Sequence, residues 1–223
     1  MHPAPAPGVF AGTANVIAVL VLLLEFWMLR QALLRDQVRL YAAQSLVVSV
    51  LAAVVAATHH LPELYVLAVL SFALKVVVVP LVVLRLMHDT SEEIAGSATL
   101  GTASAVLVSI VVAGFGFFTI GVLHLPSAVL PTTALSVSIG VVLIAFVLMA
   151  VRRDVVSQAI GFFSLENGVS LASLVVAAEL PLILEVAFLF DLLVAVVVFG
   201  VLMRVHHVRT ASLSTAALNR LRG

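Results

Sequence analysis

The chain has 223 residues, 63% of them hydrophobic and 10% charged, with a mean hydropathy of +1.28. Soluble domains run at about 45–50% apolar and about 25% charged residues, so a water-soluble globule is excluded and lipid is the implied solvent. Eleven Lys+Arg balance 11 Asp+Glu, which leaves no basic footprint for nucleic acid, and the absence of Cys removes disulfides, thiolate-held iron–sulfur clusters and Cys-based zinc sites. Along the chain, continuous apolar runs cover residues 9–29, 40–58, 64–86, 97–123, 133–151, 155–178 and 182–205. Each is long enough to cross about 30 Å of hydrocarbon at about 1.5 Å per residue. The runs do not alternate as barrel strands do. The expected fold is therefore all-α, an integral membrane protein of about seven transmembrane helices. The Pro-rich start has no Lys or Arg; a secretory signal opens on basic residues, so the first run is expected to remain as a helix.

The breaks between runs set an orientation. Arg30, Arg35 and Arg39 lie around the first break, Arg85 ends the third run, Arg152 and Arg153 fill the fifth break, and Arg204, Arg209, Arg220 and Arg222 follow the last run. The alternate breaks carry His59-His60-Leu61-Pro62-Glu63, His124-Leu125-Pro126 and Glu179-Leu180-Pro181, without Lys or Arg. Ten of the 11 basic residues thus share one side, which the positive-inside rule makes cytoplasmic. The N-terminus is expected outside and the C-terminus inside. Sliding the chain by 119 residues pairs Ser45-Leu46 with Ser164-Leu165, Val50 with Val169, and Leu61-Pro62 with Leu180-Pro181. That suggests a 3+1+3 parallel repeat, whose functional residues would lie between the halves. The single membrane domain then divides into a three-helix half (9–93), a connecting helix (94–132), a second three-helix half (133–206) and a cytoplasmic tail (207–223).

The eleventh basic residue, Lys75, sits mid-span in the third run. Glu166 is mid-span in the sixth, Asp191 and Glu185 lie in the seventh, and Glu25 is one turn from the cytoplasmic end of the first. A charge at the bilayer centre costs roughly 2.5–3.5 kcal/mol on insertion scales, so these residues ask for a reason. One cation among several carboxylates leaves surplus negative charge in a poor dielectric, and such groups exchange protons when their surroundings change. The other reading is a structural ion pair that pins helices, although buried pairs often do no better than apolar packing. In the sixth span, Ser157, Gly161, Ser164 and Gly168 form a small-residue face for close packing. Glu166 lies opposite, with Ser170 and Ser173 on its side; these hydroxyls either serve the carboxylate or bond their own backbone. Pro80 deprives the Val76 carbonyl of its usual partner beside Lys75, which predicts a kink or a free acceptor there. Tyr41, Gln44, Ser45 and Ser49 share one side of the second span, either lining the same interior or bonding between helices.

Other seven-helix readings fare worse. A retinal pigment needs its lysine on the last helix and a ring of aromatics, whereas Lys75 is on the third and the chain has one Trp and two Tyr. A haem carrier needs axial ligands within the membrane, but His2, His59, His60, His88, His124, His206 and His207 all fall at ends or breaks. No nucleophile–base pair or phosphate loop is visible, so neither an active site nor a cofactor is expected. A stand-alone ion transporter stays open.

Four blocks carry a family resemblance: Tyr41-Ala-Ala-Gln44-Ser45-Leu46, the Lys75 to Leu81 segment with Pro80, Gly161-Phe-Phe-Ser-Leu-Glu166-Asn167-Gly168, and Glu185 followed by Asp191. In order and spacing they resemble component E of hydrogenase-4 type membrane complexes, from about residue 37 to the C-terminus. The resemblance implies a cofactor-free subunit in the membrane arm of a group-4 hydrogenase or formate hydrogenlyase-like assembly, related to complex I. Its implied partners are the lipid bilayer, antiporter-like (NuoL/M/N-type) subunits and, indirectly, a soluble redox module; its implied place is a prokaryotic cytoplasmic membrane. The last three spans are more distantly similar to the NuoK-type subunit of complex I and the MrpC-type subunit of cation/proton antiporters. By position, Glu166 and Asp191 would take the roles of that subunit's two proton-route glutamates. The expected site set is Lys75, Glu166, Asp191 and Glu185 for proton or Na⁺ movement, supported by Gln44, Ser170, Ser173 and Pro80. The alternative is a scaffold whose polar residues only hold antiporter-like subunits together.

Overall fold

In the computed structural model, the described residues are 9–60, 62–88, 94–95, 98–122, 132–176 and 190–202. They form α1 (Val9–Arg30), α2 (Leu34–His59), α3 (Pro62–Ser71), a π-helical stretch (Phe72–Val78) that runs directly into α4 (Val79–His88), α5 (Thr102–Val122), α6 (Thr132–Val151), α7 (Val155–Val176) and α8 (Phe190–Leu202). The third expected span is thus one rod, Pro62–Met87, made of α3, the π-turns and α4. Six helical segments are long and apolar enough to span a membrane, and α8 is a shorter apolar helix. Among the described residues there is no strand; Leu33 and Ile94 form an isolated antiparallel bridge. The chain is a multi-pass, all-helical membrane protein, as its apolar runs require. Glu185, the breaks around His124 and Glu179, and the arginines after the last span lie outside the described residues.

The bounds of the first six spans follow the expected ones except at α2 and α5, and both expected ends of the seventh lie outside the described residues. The second span begins at Leu34, six residues before its apolar run. Its first turns carry Arg35, Asp36, Gln37 and Arg39, which a hydropathy reading cuts away but a helix accommodates: Asp36 binds Arg39 at 3.0 Å on the exposed side while Gln37 is buried. At the far end, His60 adopts the left-handed conformation (φ 55°) and returns its N–H to Ala56 O, closing α2 just before Pro62 opens the next helix. The fourth span starts at Thr102 rather than 97, after Gly101.

α1 packs on α2 and α6, and α2 on α7, while α6 and α7 form the most intimate pair; the α3–α4 rod leans on α2, and α5 covers α6 and part of α1. Leu51, Ile144, Leu148, Ile160, Phe163 and Leu171 are fully buried between them. Lipid tails are as apolar as these side chains, so the association rests on packing and interhelical hydrogen bonds. α1 and α2 run in the same directions as α6 and α7, the relation a parallel repeat requires.

One end of the bundle is tied together. Ala95 N–H donates to Ala32 O at 2.7 Å and Thr99 N–H to Val151 O at 2.9 Å. The Arg152 guanidinium donates to Leu29 O (3.0 Å) and Gln31 O (2.8 Å), satisfying carbonyls that the end of α1 leaves without partners. Burial holds the Arg152 pKa below the ordinary guanidinium value, against which Asp154 acts. Asp154 caps α7, its Oδ1 accepting the Ser157 N–H at 2.7 Å in a buried setting. Replacing Asp154 by Ala is expected to destabilise the fold by about 1 kcal/mol, as the loss of an N-cap does; a thermal melt of purified chain equal to wild type would contradict it. Arg30, Arg35, Arg152 and Arg153 all belong to this end, so the structure gathers the breaks that the charge pattern grouped together.

Candidate functional site

Pro80 and Lys75 define the site's first wall. Pro80 has no N–H to offer, and the helix ahead of it widens rather than breaks. Over Phe72–Val78 the bonding shifts to the π pattern, with Val79 N–H donating five residues back to Leu74 O. The expected local kink is therefore realised as a π-helical stretch, the rare wide turn often found at functional positions. Lys75 lies within this stretch, 2% exposed. Its Nζ donates to Ser170 Oγ of α7 at 3.2 Å and stands 3.8 Å from Glu166 Oε2, an ion-pair distance longer than a hydrogen bond. Lys75 and Glu166 are thus brought face to face across two helices, with the Ser170 hydroxyl accepting from the lysine. Glu166 itself is 7% exposed.

On its other side Glu166 opens to a cavity of about 150 Å³ lined by Phe162, Leu165, Val169 and Asp191. Three apolar side chains and the two carboxyl groups form its wall. Asp191 sits in the first turn of α8 with its side chain exposed. Two of the four residues expected to move protons are therefore paired, and a third, Asp191, lines the cavity beside Glu166. The fourth, Glu185, lies outside the described residues. Ser173 is half-buried on α7. Gln44 belongs elsewhere.

Gln44 anchors a second buried polar cluster between α1, α2 and α7. Its Nε2 donates to Glu25 Oε2 (2.8 Å) and Val21 O (3.3 Å). Its Oε1 accepts from Ser164 Oγ (2.8 Å) and Asn167 Nδ2 (3.0 Å), and Asn167 Nδ2 also donates to Ser45 Oγ (2.8 Å). Ser164 Oγ further contacts Glu25 Oε2 closely. Glu25, Gln44, Ser45, Ser164 and Asn167 are all completely buried. Ser49 bonds its own helix at Ser45 O (2.8 Å) and reaches Ser71 Oγ at 3.4 Å. Gln44 and Ser45 on the polar side of α2 therefore bond between helices, while Tyr41, its hydroxyl buried without a hydrogen-bond partner, packs on Phe163 with ring centroids 5.7 Å apart.

This cluster corrects the reading of α7. Gly161 and Gly168 do form a close-packing face: a Cβ on Gly168 would stand 3.1 Å from Val142 N, and one on Gly161 3.3 Å from Ala145 O, both on α6. Ser157 and Ser164 do not share that role, since they point to α2, with Ser157 Oγ donating to Gln37 Oε1 at 2.8 Å. Sequence reasoning left Glu25 and Asn167 out of the site because an acid near a span end reads as interfacial, and an Asn beside Glu166 adds no periodicity of its own. The spacing of Gln37, Tyr41, Gln44 and Ser45 along one side of α2 was the available signal. Among the described residues no group of three or more His, Asp or Glu could hold a metal ion.

Comparison with known proteins agrees with the motif blocks. The chain is 26% identical to hydrogenase-4 component E of Escherichia coli over 190 residues, covering 85% of this chain and 88% of the relative. The same protein of Shigella flexneri gives the same figures. An uncharacterised protein of Mycobacterium tuberculosis is 33% identical over 132 residues, 58% of this chain and 60% of that one. No protein-family model matches the chain, and no solved structure matches it. The chain is thus similar to hydrogenase-4 component E over most of its length, and the resemblance read from its residues stands.

Proposed function

We propose that this chain is a non-catalytic subunit in the membrane arm of a hydrogenase-related, complex I-like assembly of the group-4 type. In this reading it lies in a prokaryotic cytoplasmic membrane, beside antiporter-like subunits. Lys75, Glu166 and Asp191, with Glu185, supply titratable groups for redox-coupled movement of protons or Na⁺. The observation that carries the reading is the buried Lys75–Glu166 pair at 3.8 Å, backed by Ser170 and opening to a cavity shared with Asp191. Two opposite charges held slightly beyond hydrogen-bond distance in a poor dielectric are a poor rivet. They are a workable place to trade a proton, because a small displacement changes which partner holds it. The likeness to hydrogenase-4 component E supports the assembly in which such trading would serve.

Glu166→Gln tests this in the assembled complex. Proton pumping, followed by a pH-sensitive dye in inverted vesicles, is expected to fall by roughly a hundredfold, the low end of what a positioned proton-transfer group contributes. Pumping at the wild-type rate by a complex of unchanged subunit composition would overturn the assignment. A scaffold reading has one observation in its favour: the Glu25–Gln44–Ser164–Asn167 cluster bonds three helices together without touching the cavity.

A further inference from the structure

The hydrogen bonds around Glu25 can be counted, and the count fixes more than packing. Val21 O is a carbonyl and can only accept, so the Gln44 atom facing it is the NH₂ group. That group's two hydrogens go to Val21 O and Glu25 Oε2. Gln44 Oε1 is then an acceptor, which makes the Asn167 atom facing it the NH₂ nitrogen. The two hydrogens of Asn167 are spent on Gln44 Oε1 and Ser45 Oγ. Ser164 has a single hydroxyl hydrogen, yet its Oγ makes two close contacts, with Gln44 Oε1 and with Glu25 Oε2. Neither of those oxygens has a hydrogen to offer if Glu25 is a carboxylate. The knot is one hydrogen short.

We infer that Glu25 is a proton-binding site in its own right, occupied in this state, its carboxylic acid donating to Ser164 Oγ while Ser164 donates to Gln44 Oε1. The missing hydrogen is supplied, and every close contact becomes a hydrogen bond. The neutral acid also suits its place. No cation approaches it within the described ion pairs, and its second oxygen, Oε1, is buried without a hydrogen-bond partner. An uncompensated carboxylate there would carry the full desolvation penalty. The acid joins α1 to α2 and α7, and loss of the proton would set Glu25 Oε2 and Ser164 Oγ against each other or take Ser164 from Gln44. The inference does not depend on the Lys75–Glu166 assignment, since neither residue enters the count.

The test compares the full-length chain in lipid nanodiscs with Glu25→Gln and Glu25→Ala. At neutral pH the wild type is expected to show the infrared C=O stretch of a neutral carboxylic acid, shifting in ²H₂O, which Glu25→Gln removes and Glu166→Gln, measured in parallel, does not. Glu25→Gln keeps the shape of the acid, but the atom replacing Oε2 cannot both accept from Gln44 and donate to Ser164 as a carboxylic O–H does, so its melting midpoint should fall below wild type; Glu25→Ala, which removes the whole group, should lower it further. Identical carboxylic-acid bands in wild type and a folded Glu25→Gln would overturn the inference. So would a band that vanishes when Na⁺ is added, because the occupant would then be exchangeable for a metal cation.

Discussion

Lys75→Met is expected to destabilise the chain by about 3–5 kcal/mol, the penalty for leaving one member of a buried ion pair without the other. The double variant Lys75→Met/Glu166→Gln is expected to regain most of that stability and still fail to move ions. The argument is geometric. Lys75 is 2% exposed and its counterion 3.8 Å away, so removing the ammonium strands Glu166 against apolar walls. Neutralising both leaves two side chains of nearly the original shape, and buried pairs replaced in this way often lose nothing. Stability and transport therefore part company only if the pair exists for its titration. Thermal melts of the purified chain and dye-monitored pumping by the assembled complex read the two quantities separately. Pumping restored along with stability in the double variant would make the pair a rivet and decide for the scaffold.

A comparable loss is expected from Gly168→Val, through sterics alone. A Cβ at residue 168 would stand 2.8 Å from Val142 Cγ2, 3.1 Å from the Val142 backbone nitrogen and 3.2 Å from Val141 Cγ1. The side chain could turn aside, but the backbone nitrogen cannot, so α6 and α7 must separate. Overpacking of a close interface costs typically about 1–3 kcal/mol, and two further methyl groups push toward the upper end. The separation would also carry Glu166, two residues away, from Lys75. Gly114→Ala is the control: a Cβ there meets nothing within 4 Å, and Ala is the better helix former by about 1 kcal/mol. Membrane accumulation and melting midpoint should drop for Gly168→Val and hold or rise for Gly114→Ala. Equal behaviour of the two would remove the close α6–α7 contact as an explanation.

The spans were legible because lipid imposes one rule, a long apolar run, on every crossing. The limits of that rule show at α2, where Arg35, Asp36 and Gln37 interrupt hydropathy without interrupting the helix. Lys75 and Glu166 stood out for the same reason that they are expensive: an ionisable group in mid-span has no apolar excuse. That they face each other was not legible, since nothing in either helix states its rotation relative to the other. The effect of Pro80 was legible as a disturbance but not as a π-turn, because a missing donor can be met by bending, by water or by rewinding. Glu25 was legible as an acid within the first span but not as a member of a cluster, because its meaning lies in Ser164 and Asn167, more than a hundred residues away, and only the packed bundle brings the three together.

The ties at the arginine-bearing end reach past local stability. Leu33 with Ile94, Ala32 with Ala95, Thr99 with Val151, and Arg152 with the last carbonyls of α1 bolt successive helices to one another at a single face. Helices fastened at one face tilt about it, and the sideways travel of any residue grows with its depth below the fastening. A lever of this kind leaves Ser157 and Gln37, near the bolts, almost still, and gives Glu166 and Ser170, deeper along α7, a longer sideways travel. The 3.8 Å gap between Lys75 and Glu166 therefore lies where a slight rocking of the bundle changes it.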